Sequence, residues 1–381
     1  MMLHGRNMVA KNQVDSPALE CIGLVKQFNS VLAVSNFSVS IPRCNILALL
    51  GPSGCGKTTA LRLISGFEHP DAGSIAIGGQ IVNDQSHTTP PEKRRVGMVF
   101  QESALFPHLS VEENIAYGLL KDSNRKQRTS EILDLIGLNQ QRNRMPHELS
   151  GGQQQRVALG RALAPQPHIL LLDEPFSNLD SKLREQVRRD VVNILKATGI
   201  TAIFVTHDQE EALYVGDTIA IMNQGAIEQI GSPKDIFHRP ITKFVAQFIG
   251  MVDFLPAKPC KGGLDTEIGF IPCSGQASNR LDIISKDRKD LVELMIRPDC
   301  LECAPVDRGS DVIIGREFRG AFYLYKIELS SGRIVRCLLP HTAEYDIGTN
   351  VMVTIREGHY PQAFIDERPI DLNSIEKAVM Y

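Results

Sequence analysis

The sequence predicts an α/β domain built on a mostly parallel sheet with covering helices, followed by a small β-rich, barrel-like domain. Four short apolar runs, NILALL (Asn45 to Leu50), RVGMVF (Arg95 to Phe100), HILLL (His168 to Leu172) and TAIFVT (Thr201 to Thr206), alternate with helical stretches between about residues 18 and 240. Each run gives way at once to polar or charged residues, as a buried parallel strand does where it leaves its sheet. Beyond Gly250 the texture changes. Pro and Gly become frequent, and short β-rich runs appear at Phe322 to Leu329, Arg333 to Leu339 and Val351 to Ile355, separated by turn signals at Ser330-Ser331-Gly332 and Ile347-Gly348-Thr349.

With 381 residues the chain exceeds one ordinary core. We divide it into an N-terminal tail over 1–17, the α/β domain over 18–250 with a helical subdomain at about 102–165, and the β-rich domain over 251–381. Hydrophobic residues make up 43% and charged residues 22%, a globular composition. A net charge of −3 and a pI near 6.4 give no electrostatic footprint for nucleic acid, so a phosphate ligand requires a local site. No apolar run approaches the roughly 18 residues that span a bilayer, and the N-terminus lacks the apolar centre of a signal peptide, which predicts a soluble, cytosolic chain. Eight scattered cysteines, Cys21, Cys44, Cys55, Cys260, Cys273, Cys300, Cys303 and Cys337, are expected as reduced thiols. Only Cys300 and Cys303 form a C-x-x-C, and one pair falls short of the four ligands of structural zinc, so two unconnected thiols are expected.

The chemistry gathers where the apolar runs end. After the first, Gly51-Pro52-Ser53-Gly54-Cys55-Gly56-Lys57-Thr58-Thr59 fits G-x-x-x-x-G-K-[ST] and leads into a helix predicted over Thr58 to Ser65 and stopped by Gly66. The glycines let backbone N–H groups wrap phosphates, Lys57 reaches the β- and γ-phosphates, and Thr58 ligates Mg²⁺. The third run ends in Asp173-Glu174-Pro175: Asp173 is placed to hold Mg²⁺, and Glu174 to polarise an attacking water. The second run ends in Gln101 and the fourth in His207. Gln101 offers a carbonyl oxygen to Mg²⁺ and an amide to the water, and His207 a donor to a γ-phosphate. In open parallel sheets ligands gather at the carboxyl ends of strands, so these junctions should share one site.

A further stretch, LSGGQQQR, has Ser150 as an N-cap, Gly151 and Gly152 exposing amides, and a helix predicted over Gln153 to Ala164. A helix N-terminus attracts an anion, yet the phosphate cradle already exists.

The order GPSGCGKTT, Gln101, LSGGQ, ILLLDE, SNLD (Ser177 to Asp180) and His207 resembles the nucleotide-binding subunits of ABC transporters over about residues 18–240. The resemblance implies a head-to-tail homodimer in which Ser150, Gly151, Gly152 and Gln153 of one subunit close on ATP held by the other. It implies catalytic roles for Glu174, His207 and Gln101, adenine stacking on Phe28, and an interface-crossing loop at Asp180. Asn178 stands where relatives often have Ala. The segment from Glu102 through Phe106, Pro107 and Leu109 resembles the groove that receives a membrane subunit. The β-rich tail resembles that of importer ATPases working with permease subunits and a substrate-binding protein, which implies a peripheral place on the cytoplasmic face of the membrane. PPEKRRVGMVFQ followed by LFPHLSV is most similar to ferric-iron importer ATPases, implying iron(III), with polyamine, sulfate, phosphonate and sugar systems as alternatives. A soluble, non-transport ABC ATPase is the alternative of another class. Against it stand a single set of motifs and the lack of a long heptad insert between Gln101 and Leu149.

Overall fold

The computed structural model describes residues 16–119, 123–177, 179–272, 292–359 and 361–370. Most of the N-terminal tail, Asn178 and Cys273 lie outside them. The chain forms two compact units, Met1–Pro233 and Lys234–Tyr381.

The first unit comprises β1 (Leu19–Phe28), β2 (Val31–Ile41), β3 (Ile46–Leu50), α1 (Lys57–Ser65), β4 (Ala72–Ile77), β5 (Gln80–Asn83), β6 (Val96–Val99), α2 (Val111–Ala116), α3 (Arg125–Leu135), α4 (Gly151–Leu163), β7 (Ile169–Asp173), α5 (Ser181–Thr198), β8 (Thr201–Thr206), α6 (Gln209–Val215), β9 (Thr218–Asn223) and β10 (Ala226–Gly231). All four sequence-predicted runs become neighbours in one sheet of order β10-β9-β3-β8-β7-β6, parallel except for β10. Strands β3, β7 and β8 are buried at every residue, because a parallel sheet is covered on both faces and favours unbroken apolar runs. One core joins this sheet to α2, α3, α4 and α5 through residues such as Ile115, Ile132, Leu159, Leu172 and Val191. The other joins it to α1 and to a second, antiparallel sheet of order β2-β1-β4-β5, through residues such as Leu24, Phe37, Leu61, Leu171 and Val205.

That second sheet was not anticipated as a separate layer. The signal was present in the later half of β2, where Val34 to Ile41 places Phe37, Val39 and Ile41 inward while Ser38 and Ser40 face out.

The second unit comprises α7 (Pro233–His238), α8 (Lys243–Phe248), β11 (Asp253–Cys260), β12 (Gly263–Thr266), β13 (Gly269–Pro272), β14 (Val292–Ile296), β15 (Leu301–Pro305), β16 (Asp311–Phe318), β17 (Phe322–Glu328), β18 (Ile334–Pro340), β19 (Asn350–Ile355), β20 (Ala363–Ile365) and β21 (Arg368–Ile370). Its strands form two antiparallel sheets, β13-β12-β11-β14-β20-β21 and β15-β19-β16-β17-β18. Both contribute to one core, with Leu255, Leu294 and Ile296 from the first and Ile313, Tyr325, Ile327 and Val353 from the second. The units divide earlier than the change in composition after Gly250. Helix α8 packs Ala246 against Val252, Met295 and Phe364, and Lys243 pairs with Glu293, so this helical stretch belongs with the β-rich unit.

Candidate active site

Register decides which side chains can meet. Leu50 of β3 lies beside Thr206 of β8, Val205 of β8 beside Asp173 of β7, and Leu172 of β7 beside Val99 of β6. The residues that follow all four strands therefore emerge at one edge of the sheet.

At that edge the loop Gly51 to Gly56 links β3 to α1. Gly56 has φ 105° and precedes the helix in the left-handed region, and a Cβ there would lie 2.2 Å from Ala33 O. A Cβ on Gly51 would lie 2.3 Å from Met222 O, so only glycine allows the loop to curl this tightly. Lys57, 6% exposed, donates from Nζ to Gly51 O at 2.7 Å and to Pro52 O at 3.0 Å. Its ammonium is thus held in the mouth of the loop by neutral acceptors, which a phosphate oxygen outcompetes as a charged one. Cys55 Sγ lies 3.8 Å from the same Nζ, and burial pushes this thiol up from its ordinary pKa.

Thr58 Oγ1 donates to Asp173 Oδ1 at 3.3 Å, joining the start of α1 to the end of β7. Burial holds the Asp173 carboxyl above the usual carboxylate range, partly offset by the Thr58 hydrogen bond, while Glu174 pushes it further up. A half-desolvated carboxylate beside a hydroxyl, next to a phosphate-type loop, is an oxygen donor set that fits a hard cation such as Mg²⁺.

Glu174 leaves the strand with φ 43°, a left-handed conformation unusual for a non-glycine residue. Its N–H still donates to Val205 O at 3.0 Å, so the bend begins after the last ladder bond. The bend brings Glu174 Oε2 within 3.0 Å of His207 Nδ1. Ser177 Oγ donates to Glu174 O at 3.0 Å and closes the turn. His207 in turn rests on residues that sequence reasoning passed over. Thr206 Oγ1 donates to Glu211 at 2.6 Å, and Asp208 caps α6 by accepting from the N–H groups of Glu210 and Glu211. An Asp followed by two acidic residues at a helix start was a readable N-cap signal. Gln101 follows β6 at the same edge and is exposed.

The other predicted site residues lie on other elements. Ser150 caps α4 in a reciprocal box: its Oγ accepts from Gln153 N at 3.4 Å and Gln153 Oε1 accepts from Ser150 N at 3.0 Å. The helix starts at Gly151, two residues earlier than predicted, because the cap engages directly after Ser150. Gly151 is exposed, but Gly152 is buried, and a Cβ there would lie 2.5 Å from Val187 Cγ2. Its smallness therefore serves the packing of α4 on α5. Asp180 caps α5, with Oδ1 accepting from Leu183 N at 3.0 Å. Phe28 ends β1, is 40% exposed and has Lys26 Nζ 5.2 Å from its ring centroid, so it is not a core residue.

In the 102–110 stretch, Phe106 and Leu109 are half-buried, while Pro107 is exposed. Asn114, fully buried, was missed: Oδ1 accepts from Phe106 N at 2.9 Å, and Nδ2 donates to the carbonyls of Phe106, Leu109 and Ser110 at 2.8 to 3.2 Å. Arg161 adds a bond to Ala104 O at 2.7 Å and places its guanidinium 5.2 Å from the Phe106 ring centroid. One amide and one guanidinium thus fix this whole surface loop.

Comparison with known proteins identifies the family. Residues 34–177 match the ABC transporter family and residues 294–360 match the TOBE domain. The chain is 53% identical over 313 residues to the spermidine/putrescine import ATP-binding protein PotA of Pseudomonas fluorescens (strain Pf0-1), covering 78% of this chain and 83% of that one. It is 44% identical over 286 residues to the Fe(3+) ions import ATP-binding protein FbpC of P. fluorescens (strain ATCC BAA-477), covering 74% and 78%. Against FbpC of Brucella suis it is 40% identical over 317 residues, covering 82% and 88%. Among solved structures, cbiO1 of Clostridium perfringens, part of an ABC transporter complex, aligns with a TM-score of 0.54 and 26% identity over 58% of this chain and 91% of that one. No helix among the described residues is long and apolar enough to cross a membrane. A P-loop at the edge of this sheet, the Glu174–His207 pair and relatives of this likeness make the chain a member of the ABC transporter ATP-binding subunits, the ATP hydrolases that drive import.

Proposed function

We propose that Glu174 is the general base of ATP hydrolysis, held in its strained turn and oriented by His207, with Gln101 positioning the attacking water. The 3.0 Å contact between Glu174 and His207 carries this reading. Lys57 and the amides of Gly51 to Thr59 bind the phosphates. Thr58, Asp173 and Gln101 would hold Mg²⁺, which when bound would supply neutralisation of phosphate charge. Phe28 offers its exposed ring to adenine. Ser150, Gly151, Gly152 and Gln153 act on the nucleotide of a second copy, and Asp180 lies at that head-to-tail interface. Two sites closing together need to favour the closed dimer by about 5.5 kcal/mol to move it from 1% to 99%, which charge-assisted contacts at both can supply.

Gly151, an exposed residue at a capped helix start, supports the action in trans. Ser150→Arg tests it: nucleotide affinity of the isolated subunit stays unchanged while hydrolysis is lost. Loss of affinity in the isolated subunit would place Ser150 at its own chain's nucleotide instead.

The subunit works beneath permease subunits at the cytoplasmic face of the membrane, fed by a substrate-binding protein, with the loop fixed by Asn114 and Arg161 as the permease contact. For cargo we propose iron(III), supported by the PPEKRRVGMVFQ and LFPHLSV runs and by relatives named for Fe(3+) import. A specific observation favours a second cargo: the relative named for spermidine/putrescine import is more similar, at 53% identity over 313 residues. Stimulation of the reconstituted ATPase by iron-loaded or by spermidine-loaded binding protein decides between the two.

A further inference from the structure

In the second unit, Asp299, Cys300 and His359 bring a carboxylate oxygen, a thiol sulfur and an imidazole nitrogen within 4.8 Å of one another, all three side chains half-buried. We propose that they form a binding site for a borderline divalent transition-metal ion, Zn²⁺ in its chemical class. The donors come from two segments distant in sequence, the turn Pro298 to Cys300 that leads into β15 and the turn that follows β19. Strands β15 and β19 pair antiparallel with Leu301 beside Ile355, which sets those two turns side by side.

Backbone hydrogen bonds then fix the donors before any ion arrives. Cys300 N donates to Arg297 O at 2.9 Å, Arg356 N to Cys300 O at 2.8 Å, and His359 N to Arg356 O at 3.1 Å. The first turn is itself anchored. Pro298 is buried, and Arg297, 3% exposed, donates from Nη2 to Phe237 O at 2.8 Å with its guanidinium 3.8 Å from the Phe237 ring centroid.

Donor chemistry selects the ion. Mg²⁺ and Ca²⁺ prefer oxygen throughout, and Cu(I) prefers several sulfurs, whereas one oxygen, one sulfur and one nitrogen suit Zn²⁺ and its spectroscopic stand-in Co²⁺. Three protein ligands leave a fourth tetrahedral position to water, so this is an exchanging site rather than a closed structural one. The C-x-x-C does not act as a pair here. Cys303 is buried in the core on β15 together with Cys337, while Cys300 turns to Asp299 and His359.

The test is titration of the full, nucleotide-free chain with Co²⁺ followed by displacement with Zn²⁺. We expect one Co²⁺ per chain with a thiolate-to-cobalt band in the near ultraviolet, lost on adding Zn²⁺. Cys300→Ala abolishes the band, and Cys303→Ala keeps it. Asp299→Asn and His359→Gln, both on surface turns, retain the fold by circular dichroism and each weaken Co²⁺ binding about tenfold or more. A missing band, a band that survives Cys300→Ala, or unchanged affinity in both Asp299→Asn and His359→Gln would overturn the site.

Discussion

His207 Nδ1 lies 3.0 Å from Glu174 Oε2, joining the residues that leave the carboxyl ends of two adjacent parallel strands. The imidazole therefore sets where the carboxylate points, while the left-handed turn at Glu174 sets where it starts. Glu174→Gln keeps the size and a hydrogen-bonding oxygen but removes the proposed base. Steady-state hydrolysis should fall by about 10²-fold or more with ATP affinity retained. His207→Ala should lower turnover in the same direction, because the carboxylate loses its partner. A Glu174→Gln protein that turns over normally would remove Glu174 from the chemistry.

Asp173 carries a cost that can be read without nucleotide. Burial raises its folded-state pKa, so the charged form is the disfavoured one in the native state. Its favourable contribution is complete below the unfolded carboxylate value, about 3.9, and is lost as pH rises through the raised folded value. At neutral pH the ionised carboxylate therefore weakens the fold, and Asp173→Asn should raise the melting temperature of the nucleotide-free protein. The gain should shrink as pH falls through the raised folded value, and ATPase activity should drop. Calorimetric scans of both proteins from pH 5 to 8 check the sign, and an unchanged or lower melting temperature at pH 7 would contradict it.

Much of this was legible because parallel strands buried on both faces must be written as unbroken apolar runs, and because a phosphate loop needs Gly51 and Gly56 at fixed spacing. Thr201 to Thr206 was read at its observed bounds. RVGMVF shrank to Val96–Val99, since Arg95 takes a positive φ of 54° and Phe100 is 39% exposed. What stayed hidden were residues whose role depends on a distant partner. Asn114 reads as one polar residue in a short helix until its side chain is seen binding the backbone of Phe106, Leu109 and Ser110. Glu211 gives no local hint that Thr206 will donate to it.

Gly151 and Gly152 are adjacent yet meet different surroundings, so the cost of adding a side chain differs between them. Gly152→Ala puts a Cβ 2.5 Å from Val187 Cγ2 and 3.2 Å from Leu183 Cδ1, so α4 must shift from α5 at a cost of about 1–3 kcal/mol. Gly151→Ala meets only Leu179 Cδ2 at 3.1 Å on an exposed position, and alanine is the better helix former. Chemical denaturation should thus show Gly152→Ala destabilised and Gly151→Ala close to wild type. If Gly151 faces a partner's nucleotide, hydrolysis in Gly151→Ala falls despite that unchanged stability. Equal stability losses in both variants would contradict the division.

Arg94 belongs to PPEKRRVGMVFQ, a run read from sequence only as a family marker, yet it holds the far end of the helix that begins at Lys57. It is 2% exposed, and its Nη1 donates to Leu63 O at 2.8 Å and Ile64 O at 3.0 Å while Nε donates to Thr89 O at 2.8 Å. The guanidinium thus satisfies carbonyls in the last turn of α1, where a cation also meets the negative end of the helix dipole. Burial lowers the pKa of Arg94, though not enough to discharge a guanidinium. Lysine keeps the charge but presents one nitrogen in place of a planar fork, so it cannot reach both Thr89 O and the helix carbonyls. Arg94→Lys should therefore cost about 1–3 kcal/mol by leaving a buried acceptor unpaired. Gly66→Ala should act in the same direction, because its Cβ would lie 2.6 Å from Arg94 Nε at a φ of 88°. Since α1 carries Lys57 and Thr58 at its other end, ATP should restore part of the lost stability in Arg94→Lys, as any ligand that binds only the folded state does. Urea melts with and without ATP test both statements, and a variant as stable as wild type would show that the helix end does not depend on the guanidinium.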